Sequence, residues 1–162
     1  FTCHREDNLR KENLTEIIKA INKLSSNYNI IFPAHPSTKN RLKKYNLKCD
    51  FNILDPMSYP SLLEEIGKSK YIITDSGGLI KEAYWLNKPS LSIMNTPVWP
   101  ELINAKVSFN SYPNSSKILR EFLKLDKVDN FPLNIFGNGT ASDSIVKIIT
   151  EDYFEKIKED AI

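Results

Sequence analysis

Cysteine is scarce in this 162-residue chain: Cys3 and Cys49 stand far apart, in neither a CxxC nor a Cys/His spacing. That pair excludes a zinc knuckle and a disulfide-built scaffold, and it fits a reducing compartment, the cytoplasm. Long apolar runs are missing too. None approaches the roughly 18 residues of a membrane span, and no basic stretch followed by an apolar one opens the chain, so neither membrane insertion nor a secretion signal is expected. An excess of one charge is also absent. Lysine and arginine number 22 against 20 acidic residues, and a net charge of +2 is too small for a nucleic-acid footprint. Internal repeats and low-complexity tracts do not occur.

What is present is enough apolar residue, 41%, for a single core, so one domain over residues 1–162 is the default. Short apolar runs alternate with longer amphipathic ones. Phe1–Cys3 reads as the end of a buried strand, which leads us to expect a fragment. Leu14, Ile17, Ile18, Ile21 and Leu24 recur at helical spacing, predicting a helix over 13–24. The pattern then gives a strand at 29–33, a helix at 38–45, a short apolar run at 51–54 and a helix at 59–66. Tyr71, Ile72 and Ile73 are apolar without alternation, as in a strand covered on both faces. A helix over 79–86 stops at Asn87-Lys88-Pro89, before a strand at 90–94, another at 107–109 and helices at 115–125 and 145–157. Ile145, Ile148, Ile149 and Phe154 of the last helix are expected to pack back onto the domain, while Lys11, Lys19, Lys23, Lys43, Lys44 and Lys48 form a solvated face. Strands alternating with helices imply an α/β fold with a doubly wound, Rossmann-like parallel sheet, whose ligands bind beyond the carboxyl ends of the strands.

The most informative segment runs from Tyr71 through Thr74-Asp75-Ser76-Gly77-Gly78 to Glu82-Ala83, a strand passing through a glycine turn into a helix. The first amides of a helix lack intrahelical partners and lie at the positive end of its dipole, so an anion there receives main-chain hydrogen bonds. Glycines let a phosphate approach, Ser76 offers a hydroxyl, and Glu82 stands where a carboxylate meets ribose hydroxyls. Equally, the glycines form only a turn, with Asp75 or Ser76 as helix cap and Glu82 an exposed residue.

Several motifs together resemble one family. Thr74–Gly78 with Glu82-Ala83, Asn87-Lys88-Pro89, Asn95-Thr96 and Pro100-Glu101 are similar to a signature of the UDP-N-acetylglucosamine 2-epimerases. Thr2-Cys3-His4-Arg5 with Asn8 resembles that family's Thr-Gly-His-Arg-Arg-Glu-Asn segment, Ala34-His35-Pro36 its His-Pro-Asn, and Gly137–Ser142 its Gly-Asp-Gly-Lys-Ala-Ser. The resemblance implies the carboxyl-terminal half of a GT-B-type two-domain fold. It gives this half the grip on UDP and leaves the main catalytic carboxylates in an amino-terminal domain that this sequence does not resemble.

By that resemblance Ser76, Gly77 and Gly78 contact the diphosphate and Glu82 the ribose. His4 lies at the reaction centre, Arg5 and His35 line the cleft, and the segment from Pro56 to Leu62 covers the uracil. Each has a plainer alternative: His4 and His35 as surface histidines, Arg5 as a structural arginine, Leu62 as core. Leu62 replaces an aromatic, Trp99 a common arginine and Glu6 another arginine of the family pattern. The implied activity is interconversion of UDP-N-acetylglucosamine and its mannose epimer, with no metal or organic cofactor. A hydrolysing epimerase, a GT-B glycosyltransferase and a non-catalytic nucleotide-binding module are the alternatives. Its partners are then UDP and UDP-N-acetylglucosamine, the amino-terminal domain and, in a homodimer, a second copy.

Overall fold

The computed structural model describes residues 1–160. Strands β1 (Ile31–Pro33) and β2 (Asn52–Leu54) pair in parallel, and β3 (Ile72–Thr74), β4 (Ser90–Ile93) and β5 (Ser108–Ser111) form a second parallel set in the order β3-β4-β5. Phe1 and Thr2 join the two sets. The Phe1 α-amino group donates to the Ile31 carbonyl at 2.8 Å, and Thr2 forms a parallel bridge with Thr74. The resulting order is β2, β1, Phe1–Thr2, β3, β4, β5. The earliest segment lies in the middle, and the chain winds outward on either side of it. Burial of the α-amino group lowers its pKa to about 5.

Helices α1 (Lys11–Ser25), α2 (Pro36–Lys44), α3 (Tyr59–Lys68), α4 (Gly77–Trp85), α5 (Pro100–Asn104) and α6 (Ser115–Phe122) connect the strands. In α1 the apolar stripe expected from the sequence is buried: Leu14, Ile17, Ile18, Ile21 and Leu24 join Phe32, Leu91, Ile93 and Ile118 in the main core. At about 1.5–3 kcal/mol per buried large aliphatic side chain, this stripe is the chief force fixing α1 on the sheet. The six lysines read as a solvated face are all exposed. Strands β3 and β4 are buried throughout, as the unbroken apolar run of the former suggested. Two serines of β4 are accommodated by hydrogen bonds, Ser90 Oγ to Ser108 Oγ at 2.9 Å and Ser92 Oγ to Asn110 Oδ1 at 2.6 Å.

The described residues divide into two compact units, one from Phe1 to Phe131 and one beginning at Pro132. Helix α7 (Ala141–Asp160) belongs to the second. Its Ile145, Ile148, Ile149 and Phe154 are each more than half exposed, so the burial expected of them is not observed. Helix α5 was not expected from the sequence. It is a single Pro-initiated turn, too short to show a helical period.

Candidate functional site

Where the chain reverses its winding direction, the loops after Thr2 and after β3 leave the sheet side by side. That junction is where ligands of doubly wound sheets bind, and it brings His4 and Arg5 against the Thr74–Gly78 turn.

Asp75 ties the two loops together. Its side chain is 1% exposed and accepts hydrogen bonds from the main-chain N–H of His4 (2.9 Å), the main-chain N–H of Arg5 (2.8 Å) and Asn8 Nδ2 (3.1 Å). Arg5 Nε returns a bond to the Asp75 carbonyl oxygen at 2.7 Å, and Asn8 Nδ2 also reaches the Ile93 carbonyl. The fixed carboxylate holds the loop after the first strand as a claw around it. His4 Nδ1 lies 3.2 Å from Asp75 Oδ1, with its ring half exposed. Because a carboxylate only accepts, Nδ1 carries the hydrogen of this contact. Burial first, then the nearby Asp75 charge and hydrogen bond, push the Cys3 thiol well above its ordinary pKa, so it stays neutral.

Thr74 and Ser76 shape the turn. Thr74 Oγ1 accepts from the Ser76 N–H at 2.9 Å and meets Thr2 Oγ1 at 2.6 Å. Ser76 is the N-cap of α4, its Oγ facing the Leu79 N–H at 3.4 Å. Neither Gly77 nor Gly78 has a positive φ, a conformation found here only at Gly137 and Gly139 among the glycines. Conformation therefore does not demand glycine at 77 or 78, and a Cβ at either would stand at ordinary contact distance from its neighbours. A Cβ on Gly77 would meet Val98 Cγ2 at 3.4 Å and Trp99 Nε1 at 3.7 Å, whereas one on Gly78 would meet only Ser76 Oγ at 3.9 Å. The exposed Gly78 leaves the first turn of α4 open from outside, toward amides that seek an acceptor.

Further along α4, Glu82 is partly buried, and its carboxylate near the Tyr59 phenol raises the Tyr59 pKa. Tyr59 begins α3, so the segment from Pro56 to Leu62 does come against α4. Leu62 is partly buried against Ile66, Ile72, Leu79 and Ala83. His35 is exposed and caps α2: Nδ1 accepts from the Ser37 N–H at 3.2 Å and contacts Ser37 Oγ at 2.7 Å. The segment at 137–142 belongs to the second unit, where Asn138 Oδ1 accepts from Thr140 Oγ1 at 2.6 Å just before α7.

Two contributors were not singled out from the sequence. Asp75 figured there only as a candidate cap, since its partners lie about 70 positions away. Trp99 figured only as a departure from a pattern, yet its indole Nε1 donates to the Gly77 carbonyl at 2.7 Å. A groove of about 390 Å³ opens elsewhere, beside Tyr28, Lys70, Tyr71 and Phe122 at the amino ends of the strands. The glycine turn, by contrast, is an open face. No helix of the described residues is long and apolar enough to cross a membrane.

Comparison with known proteins agrees with this geometry. A family model described as UDP-N-acetylglucosamine 2-epimerase matches residues 1–150. A UDP-N-acetylglucosamine 2-epimerase homolog from Methanococcus maripaludis is 34% identical over 155 residues, which is 91% of this chain and 43% of the relative. The UDP-N-acetylglucosamine 2-epimerase of Methanocaldococcus jannaschii is 34% identical over 160 residues, 93% of this chain and 43% of that protein. A crystal structure of the M. jannaschii enzyme in complex with UDP-GlcNAc and UDP superposes with a TM-score of 0.82 at 31% identity, covering 93% of this chain and 44% of that one. The chain thus spans a little under half the length of these relatives, and its fold is the carboxyl-terminal, Rossmann-like half of a GT-B-type architecture. From residue 1 to residue 150, this chain belongs to the UDP-N-acetylglucosamine 2-epimerase family.

Proposed function

We propose that residues 1–162 serve as the UDP-binding domain of a UDP-N-acetylglucosamine 2-epimerase. The observation that carries the reading is the open first turn of α4 at the winding reversal, with Glu82 on the same helix and His4 and Arg5 clamped beside it by Asp75. The amides at Gly77 and Gly78, with the Ser76 hydroxyl, hold the diphosphate, and the dipole of α4 favours its charge. Glu82 accepts from the ribose hydroxyls, and the α3 segment reaching Leu62 lies along the base. Arg5 adds a cation and His35 a ring at the cleft edge. His4 presents Nε2 to the sugar or its departing phosphate and moves a proton there.

In the intact enzyme the proton on sugar C2 is abstracted, the C1–O bond to UDP breaks, and the electron pair closes a glycal double bond. UDP then re-adds at C1 while a proton returns to the opposite face of C2, giving the mannose epimer. The carboxylates for C2 come from an amino-terminal domain of the same protein, so the present chain binds without turning over. Release of free N-acetylmannosamine by water is the variant outcome of the same intermediate. The reading places the enzyme in the cytoplasm, working without a metal or organic cofactor, and admits a second copy as its oligomeric partner.

Calorimetric titration of the chain with UDP and UDP-N-acetylglucosamine tests the seat. Saturable binding of both is expected. Failure of the folded chain to bind either at millimolar concentration contradicts it.

A further inference from the structure

We infer that Trp99 is a positioning residue for the diphosphate seat, acting through the single peptide that joins Gly77 to Gly78; the inference rests on the UDP reading above. That peptide has two ends. Its carbonyl oxygen, on Gly77, receives the Trp99 indole N–H at 2.7 Å. Its N–H, on Gly78, is one of the amides at the start of α4 without an intrahelical acceptor. A hydrogen bond on the oxygen draws electron density from the nitrogen and makes the N–H a stronger donor, an effect worth about 10–30% per bond in a chain of hydrogen bonds. It also fixes the peptide plane, so the N–H does not have to be reoriented when an anion arrives.

The other side of the indole is occupied as well. Lys81 Nζ lies 3.7 Å from the centre of the Trp99 ring, well inside the range of a cation–π contact. A positive charge on the ring face makes the indole N–H more acidic, hence a better donor to Gly77. Lys81, the indole, the Gly77 carbonyl and the Gly78 amide are therefore polarised in one direction, ending on the atom that meets the phosphate. Val98 and Trp99 pack on one side of this turn, at ordinary contact distance from where a Gly77 Cβ would stand, and Gly78 is exposed.

The arrangement separates phosphate from nucleoside recognition, and that separation is the test. Wild type and Trp99→Phe, which keeps a ring for Lys81 but loses the N–H, are titrated with UDP and with uridine by amide NMR, with thermal unfolding as a check on the fold. UDP affinity is expected to fall about three- to fivefold in Trp99→Phe while uridine affinity is unchanged. The ligand-free Gly78 amide proton is expected to move upfield. Unchanged UDP affinity, or equal losses for UDP and uridine, overturns the inference, the second because a general disturbance of the loop weakens both. Should Trp99→Phe not fold, Lys81→Met carries the same comparison, since it removes the charge on the ring and leaves the indole N–H in place. A UDP-specific loss is again expected, and no loss overturns the inference. If wild type binds neither ligand, the nucleotide reading itself fails, a result distinct from binding that ignores Trp99.

Discussion

Replacing Asp75 by asparagine should cost far more than its near-identical shape suggests. The wild-type carboxylate faces donors on both oxygens: Oδ2 takes the N–H groups of His4, Arg5 and Asn8, and Oδ1 takes His4 Nδ1 and the longer branch from His4 N. An asparagine amide has one oxygen and one NH₂. With NH₂ in the Oδ2 position, three N–H donors confront it; turned the other way, the amide oxygen keeps the bonds from His4 N–H, Arg5 N–H and Asn8 Nδ2, and NH₂ meets His4 Nδ1, which must give up its proton to accept. The second orientation is the better one, yet it loses the charge and reverses the His4 ring hydrogen bond at a site 1% exposed. A hydrogen bond to a charged group contributes about 1.5–3 kcal/mol, against about 0.5–1.5 kcal/mol for a neutral one. These terms are not additive, so the expected loss is about 2–4 kcal/mol. For a chain of this size that lowers the melting temperature by roughly 5–15 °C. Urea unfolding of the two proteins measures it, and the midpoint should fall without a change in slope. The claw around His4 and Arg5 should loosen at the same time, so UDP affinity should drop. A stability loss below about 1 kcal/mol would refute the view that this carboxylate organises the site.

Gly78→Val should leave stability within about 1 kcal/mol, because its Cβ meets only Ser76 Oγ at 3.9 Å, yet it should abolish detectable UDP binding in calorimetry by filling the approach to the helix. Glu82→Ala should weaken UDP by about 1.5–3 kcal/mol, the scale of a hydrogen bond to a charged group, and should weaken uridine alike because both carry the ribose. A pH series is informative for the polypeptide whose free α-amino group is on Phe1. That group has a folded pKa of about 5 against 8.0 unfolded, so the unfolded state binds more protons between those values. Stability is therefore full above pH 8, falls as pH drops from 8 to 5 by up to about 4 kcal/mol, and levels below. N-terminal acetylation, which keeps an N–H for Ile31 but removes the charge, should flatten this window in urea titrations.

Much of this organisation is legible in the sequence because it is local. The apolar Tyr71–Ile73 run, the glycine turn and the helix carrying Glu82 lie within a dozen residues, and their periods and turn chemistry announce a strand, a turn and a helix. The ordered motifs at His4, His35 and Gly77 likewise predict loops at the carboxyl edge, where the structure puts them. What was not legible depends on distant pairing. Nothing in Asp75 itself shows that the amides of His4 and Arg5 will close on it, and nothing in Trp99 shows that its indole will reach Gly77 across 22 positions. The apolar spacing of Ile145, Ile148 and Ile149 announces a helix correctly, but spacing carries no information on what covers the stripe, and there the expectation of burial was wrong. His35 shows the complementary case. A histidine before proline was read as a cleft residue; the structure shows it in a local task the sequence permits, capping α2 through Nδ1.

The proposed seat for a diphosphate is the set of main-chain amides at the start of α4. Titrating the ¹⁵N-labelled chain with UDP while following every backbone amide tests it directly. The largest saturable shifts are expected at Gly77, Gly78 and Leu79, with smaller ones at His4, Arg5 and Glu82. Shifts centred instead on the groove beside Tyr28, Lys70 and Tyr71, or no shifts at all at saturating UDP, would contradict it.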